Sequence, residues 1–220
     1  MSNREPEITL PVVIQRDFFT SLSDDQAIQI LIPIIGEKEA RAYVQKCRYF
    51  AIDHFNNYEG TIFWLVKAGY TLKQHASKLG PCYKNFDYLQ TWNFNDEPTF
   101  DSLVFWVPRL VPDGIRKTAN EQLNYLARLS KKYDLPADHL TDFGSVTLNS
   151  GLILSYFNQT KERVPPDRLW IRTSARGSDG SRFDLGDFDE RGLYCSGYDL
   201  GGGFVDDLGC FALGIVKLAA

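Results

Sequence analysis

Two arginines near the C-terminal end are the side chains best suited to bind an anion. Arg172 and Arg176 flank Thr173-Ser174, and the planar guanidinium fork of arginine donates paired hydrogen bonds to carboxylates and phosphates. A small anion could therefore bind at this point. The competing interpretation, which we favour, places Arg172 on the solvent face of a strand, where it pairs across the sheet with an acidic neighbour such as Asp184.

Aspartates in the same region could supply the oxygen ligands that Ca²⁺ and Mg²⁺ prefer. The set comprises Asp179, Asp184, Asp187, Asp189, Asp199, Asp206 and Asp207. Its spacing matches no EF-hand loop, and aspartate is an ordinary turn residue, so we predict no metal site here. The glycine run 201–203 stands shortly before two of these carboxylates, which would repel a phosphate. It therefore predicts a hairpin tip rather than a phosphate cradle.

The stretch 69–80 resembles the first helix and turn of a helix-turn-helix unit, with a small residue, an apolar residue and a turn glycine at the matching positions. The resemblance implies that 83–89 forms the recognition helix. The side chains available for phosphates or base edges are then Lys84, Asn85 and Gln90. DNA binding through 69–89 is one hypothesis, although the formal net charge of −4 disfavours it, because nucleic-acid binders carry a basic surface.

Histidine and cysteine side chains, the usual bases and nucleophiles, show no catalytic pattern. His54 lies on the apolar stripe of a periodic helix, which is typical of a buried, hydrogen-bonded imidazole. Cys82 has no partner histidine that the sequence identifies, and no serine-hydrolase, zinc-protease or phosphate-loop motif occurs. We therefore name no catalytic residue and expect no cofactor. An enzyme whose site is assembled from distant segments stays a second alternative.

Aromatic residues are the main departure from an average composition. They make up 14% of the chain, with 15 Phe, 11 Tyr and 4 Trp against a single Met. Such rings pack cores first, and they also supply the anchors of protein interfaces. The leading hypothesis is a non-enzymatic protein that presents a surface to another macromolecule, with a second protein as the expected partner.

Cysteine spacing and hydropathy indicate which classes of protein the chain does not resemble. Four scattered cysteines form no C-x-x-C pair, and the first ten residues lack the basic and apolar pattern of a secretory signal. The longest apolar runs are far shorter than the ~20 residues of a membrane-spanning helix. We expect a soluble, cytoplasmic protein that does not enter a membrane.

Hydrophobic periodicity and capping residues place helices first and strands afterwards along the chain. Helices are predicted over 24–35, 37–55, 59–68, 71–79, 118–132 and 149–161, and a buried strand over 103–107. Short apolar runs separated by Gly- and Asp-rich turns predict further strands over 169–173, 182–188, 193–195 and 209–218. Gly and Asp at 177–180 and 189–192 predict hairpin turns there. The expected fold is α+β in a single domain over 1–220. Its N-terminal and central helices (about 20–162) pack on a small C-terminal antiparallel β-meander (about 167–218).

Overall fold

The computed structural model describes residues 17–136, 138–166, 168–178, 180–199 and 206–218, without the side chains of Tyr198 and Asp199. The helices are α1 (Asp24–Ile35), α2 (Glu37–His54), α3 (Ser77–Leu79), α4 (Ala119–Lys132) and α5 (Val146–Thr160). The strands are β1 (Phe19–Leu22), β2 (Phe63–Val66), β3 (Ser102–Leu110), β4 (Trp170–Arg176), β5 (Arg182–Asp189), β6 (Gly192–Asp199), β7 (Leu208–Gly209) and β8 (Phe211–Lys217). A π-helical turn covers Leu72–Ala76, and 3-10 segments cover Tyr83–Leu89 and Asn93–Asn95. The expected α+β class is confirmed.

Helices α1, α2 and α4 form one layer. α1 and α4 each begin at a capping box, in which Ser23 pairs with Gln26 and Thr118 with Glu121. In each box a hydroxyl oxygen accepts a backbone N–H of the first turn, while the side chain three residues on accepts the N–H of the cap. The predicted apolar stripes of the three helices are buried in one core cluster. They pack there against the first sheet, whereas the sequence predicted that they pack on the C-terminal meander.

The first sheet has the strand order β1-β2-β3-β8, and every pairing in it is antiparallel. Both of its faces are covered. Phe63, Leu103 and Phe105 face the helical layer, whereas Trp64, Val104 and Trp106 face a second core cluster. Alternation of side chains along each strand produces this division.

The second sheet has the strand order β6-β5-β4-β7. Strands β4, β5 and β6 form an antiparallel meander, as predicted, and the short β7 pairs with β4 in parallel. One face of the meander, with Ile171, Leu185 and Leu193, joins α5 in the second core cluster. The opposite face lies outside both core clusters and carries the site described below.

Three predicted helices or strands outside the 69–89 region need correction. The segment 59–68 is not a helix, because its aromatic and branched residues form β2, which pairs with β1 and β3 on either side. The run 209–218 does not close the C-terminal meander; most of it is β8, which crosses to the first sheet and pairs with β3. Helix α5 begins at Val146, before the predicted 149, because Ser145 caps it.

No helix in the described part of the chain is long and apolar enough to cross a membrane. The single-domain organisation stays a prediction.

Candidate functional site

Four aromatic rings from distant parts of the chain meet at one side of the second sheet. They belong to Trp170 in β4, Tyr194 in β6, and Tyr83 and Tyr88 in the 3-10 segment, and we call them the aromatic surface. The Tyr194 ring is central: its centroid lies 4.9 Å from that of Tyr83, 5.5 Å from that of Tyr88 and 5.6 Å from that of Trp170. Tyr88 stacks on Tyr194 with an interplanar angle of 19°, while Tyr83 and Trp170 meet it edge-on at 68° and 84°. These are the offset and edge-to-face geometries that aromatic pairs prefer.

A glycine in the middle strand brings two of these rings together. Trp170 is in register with Gly186, and Gly186 is in register with Tyr194, so the three residues form one row across β4, β5 and β6. A Cβ atom at Gly186 would lie 2.3 Å from the Leu169 carbonyl oxygen and 2.6 Å from the Trp170 Cα. Because any other residue would push the strands apart, the contact between Trp170 and Tyr194 depends on this glycine.

The other two rings are held by a segment that lies along the outer edge of β6. The Leu193 N–H donates to the Pro81 carbonyl at 2.9 Å. The Tyr88 hydroxyl donates to the Cys195 carbonyl at 2.9 Å and accepts from the Cys195 N–H at 3.0 Å. Burial raises the pKa of the Tyr88 hydroxyl far above its ordinary value, so it keeps the proton that it donates. One side chain thus pairs both backbone groups of an edge residue, as a neighbouring strand would.

The β5–β6 turn must come very close to this segment. Gly192 has φ +107°, and a Cβ atom there would lie 2.8 Å from the backbone nitrogen of Cys82. Only glycine combines this left-handed backbone with such a close approach. The predicted hairpin turn at 189–192 therefore packs against the backbone of Pro81 and Cys82, directly before the 3-10 segment.

The charges around the aromatic surface are mixed. The Lys84 ammonium lies 5.3 Å from the centroid of the Tyr83 ring, and the Arg191 guanidinium lies 5.8 Å from it, within the range of a cation–π contact. Arg191 is also ion-paired with Asp189 at 2.7 Å and with Asp187 at 3.4 Å. The surface therefore combines apolar ring area with a rim of both signs, and it is not a basic surface.

The expected recognition helix over 83–89 was wrong. The segment is 3-10, and Lys84, Asn85 and Phe86 have φ values of 45°, 52° and 61°, which no right-handed α-helix contains. The cause is the docking described above, since the chain must turn sharply to place Phe86 in the core and Tyr88 on β6. Lys84, Asn85 and Gln90 are exposed, but they do not share a helical face that could enter a groove. A role for them in nucleic-acid binding stays a prediction.

The two arginines of the predicted anion site lie in different environments. Arg172 is in register with Asp184, the partner that the sequence suggested, but both residues are buried, so the expectation of a solvent-facing Arg172 was wrong. The chain at Lys117 covers this face of β4, and the Arg172 Nη2 donates to the Lys117 carbonyl at 3.4 Å. Arg176 is exposed and donates to the Gly180 carbonyl at 3.4 Å. The structure does not bring the two guanidinium groups together, and anion binding by either stays a prediction.

The cysteines lack the properties of nucleophiles, because all four are free and buried. Burial raises the pKa of Cys82 to about 12, so its thiol is protonated at neutral pH. His139 is fully buried between two partners: its Nε2 lies 2.7 Å from the Tyr43 hydroxyl and its Nδ1 lies 3.1 Å from an Asp138 carboxylate oxygen. Burial lowers the pKa of His139. Asp138, His139 and Tyr43 are thus connected in series, as the residues of a catalytic triad are. Tyr43, however, is buried in the first core cluster.

Metal ligation finds no support in the described residues, where no three His, Cys, Asp or Glu side chains come together in a group that could hold an ion. The glycine run 201–203, Asp179 and the side chain of Asp199 lie outside the part that the structure describes. No protein-family model, curated protein or solved structure matches the chain.

Proposed function

We propose that this protein is a non-enzymatic binding protein, and that its aromatic surface takes a segment of another protein. The observation that carries the proposal is the cluster of four rings on Trp170, Tyr194, Tyr83 and Tyr88, none of which is fully buried. Tyr88 keeps 36% of its surface exposed. Tyrosine and tryptophan are the residues most enriched at binding hot spots, because they offer a large rigid area with a polar group at its end.

The rigidity of the surface supports a binding role. Tyr88 is fixed by its two hydrogen bonds to Cys195, and Tyr194 is enclosed by three other rings. Side chains that are already ordered lose little conformational entropy on association, so more of the contact energy remains as affinity.

Charge favours a protein over a nucleic acid as the partner. The two cations beside the Tyr83 ring are Lys84 and Arg191, and Arg191 is ion-paired with Asp187 and Asp189. Single-stranded nucleic acids bind stacked rings within a positively charged groove, and these carboxylates would repel a phosphate backbone. A polar rim of both signs around an aromatic centre is instead the ordinary anatomy of a protein interface.

The experiment compares the tagged full-length chain with ring-deletion variants in a nuclease-treated native lysate. Tyr83→Ala and Tyr194→Ala each remove one ring of the surface, and Tyr49→Ala is the matched control, since Tyr49 is 60% exposed on α2. We expect a stoichiometric protein that is retained by wild type and by the control and lost from both surface variants. Circular dichroism verifies that each variant is folded.

Two outcomes would overturn the proposal. One is a partner that all four forms retain equally, which would place the interface elsewhere. The other is recovery of nucleic acid alone from an untreated lysate, with loss in moderate salt, which is the behaviour of phosphate contacts.

A further inference from the structure

The exposed side of α4 carries a second surface that uses no residue of the aromatic surface. An open depression of about 650 Å³ is lined by Lys117, Glu121, Asn124, Ala127, Arg128 and Lys131. From Glu121 onward these residues follow one another at three- and four-residue steps, apart from Ala127 beside Arg128, so they lie on one side of the helix. The opposite side, with Gln122, Leu126 and Leu129, is buried.

Three of the lining residues are the cations Lys117, Arg128 and Lys131. Among the residues that the structure describes, Lys117, Arg128 and Lys131 form no ion pair. Their neighbours differ: Arg116 lies 3.8 Å from a carboxylate oxygen of Asp206, and Lys132 lies 3.5 Å from one of Asp53.

The one carboxylate in the depression is already engaged. Glu121 completes the capping box of α4 and accepts hydrogen bonds from the Thr118 N–H and hydroxyl, both at 2.8 Å. It is thus held at the start of the helix. The depression has an excess of two positive charges, although the whole chain has a formal net charge of −4.

One tyrosine ring lies within cation–π range of two of the cations. The Lys117 ammonium lies 5.9 Å from the centroid of the Tyr125 ring, and the Arg128 guanidinium lies 5.7 Å from it. Tyr125 is half-buried and packs against the core of the helical layer. Because a ring anchored in this way attracts both cations, they lose less freedom when an anion binds.

We propose that this depression, whose lining includes Lys117, Arg128 and Lys131, binds an acidic segment of a partner protein. Charge complementarity identifies the occupant, since three cations that form no ion pair with a described residue outnumber the single lining carboxylate and match a run of carboxylates. A nucleic acid fits less well, because the acidic remainder of the chain repels a long polyanion that extends beyond these three cations.

The test uses the full-length protein and a fluorescein-labelled octaglutamate peptide, with binding read by anisotropy at low salt, where surface charges are weakly screened. We expect saturable binding that Arg128→Glu and Lys131→Glu each weaken by about tenfold, because each reversal replaces an attraction by a repulsion. Tyr125→Leu leaves the charge unchanged, and we expect it to weaken binding by about threefold through loss of the ring that positions the cations.

The matched control is Lys38→Glu, which makes the same charge change at an exposed lysine of α2. We expect it to leave peptide affinity within about twofold of wild type, since it lies outside the depression. An equal loss from Lys38→Glu would overturn the proposal by assigning the binding to overall charge. Tighter binding of a short DNA duplex, lost in the same variants, would replace the acidic segment by a nucleic acid and so would also overturn it.

Discussion

Replacing Tyr88 by phenylalanine removes one oxygen atom that two backbone groups of β6 share. The Cys195 carbonyl loses its donor and the Cys195 N–H loses its acceptor, while the ring keeps its stacking on Tyr194. A typical net contribution is about 1 kcal/mol for each hydrogen bond, so we expect the free energy of unfolding to fall by about 2 kcal/mol. For a chain of this size that loss corresponds to a decrease in Tm of about 4–8 °C.

Denaturant unfolding followed by circular dichroism measures this loss, and the slope of the transition should not change. The control is Tyr83→Phe, because within the described residues the Tyr83 hydroxyl has no hydrogen bond, and we expect it to cost less than about 0.5 kcal/mol. Hydrogen exchange supplies a local measurement, since the Cys195 amide should exchange faster in Tyr88→Phe alone. Equal losses in the two variants, or unchanged protection of the Cys195 amide, would refute the role assigned to the Tyr88 hydroxyl.

Three further predictions concern the core and the second sheet. Gly186→Ala places a methyl group against the Leu169 carbonyl, and we expect a loss of about 1–3 kcal/mol in thermal or denaturant unfolding, so a neutral substitution would contradict the packing. Burial lowers the pKa of His139 from 6.5, so below about pH 6.5 the unfolded chain binds more protons than the folded chain. The free energy of unfolding should therefore fall as the pH drops from about 6.5 through the lower folded-state pKa. His139→Gln should reduce the size of that decrease. Burial also raises the pKa of Cys82 and Cys210 to about 12, so we expect Ellman's reagent to label the four thiols only after denaturation, and rapid labelling of the folded protein would disprove their enclosure.

Local signals in the sequence predicted the helical layer well. The spacing from Thr118 to Glu121 is a complete capping signal within four residues, and the apolar stripe of α2 repeats over five turns. The β5–β6 hairpin was equally predictable from the sequence, because the Gly and Asp residues that form its turn lie within 189–192. In each case the interactions that decide the structure join residues near in sequence.

Long-range pairing decided what the sequence did not predict. The run that contains β2 is apolar enough for a buried helix or a buried strand, and the presence of β1 and β3 on either side selects the strand. β8 likewise leaves the meander because β3, more than 100 residues earlier, offers an antiparallel edge. Sequence reasoning expected interface aromatics but did not identify them, since Tyr88 and Cys195 are 107 positions apart. The one available signal was Gly186, a glycine within a strand pattern, which is typical of a close approach.

The cover on the edge of β6 has a consequence for how the folded chain associates with copies of itself. A tyrosine hydroxyl and a proline carbonyl pair with backbone groups that would otherwise bind a neighbouring strand. Local opening of the segment 81–89, which forms no strand of either sheet, would uncover Phe86 and Leu89 of the second core cluster and expose a template for intermolecular strand addition. Slow aggregation of this protein would then begin from a nearly native state. Its rate would depend on how often nine residues detach and not on global unfolding, so a substitution such as Tyr88→Phe would accelerate aggregation even at temperatures where the protein remains folded.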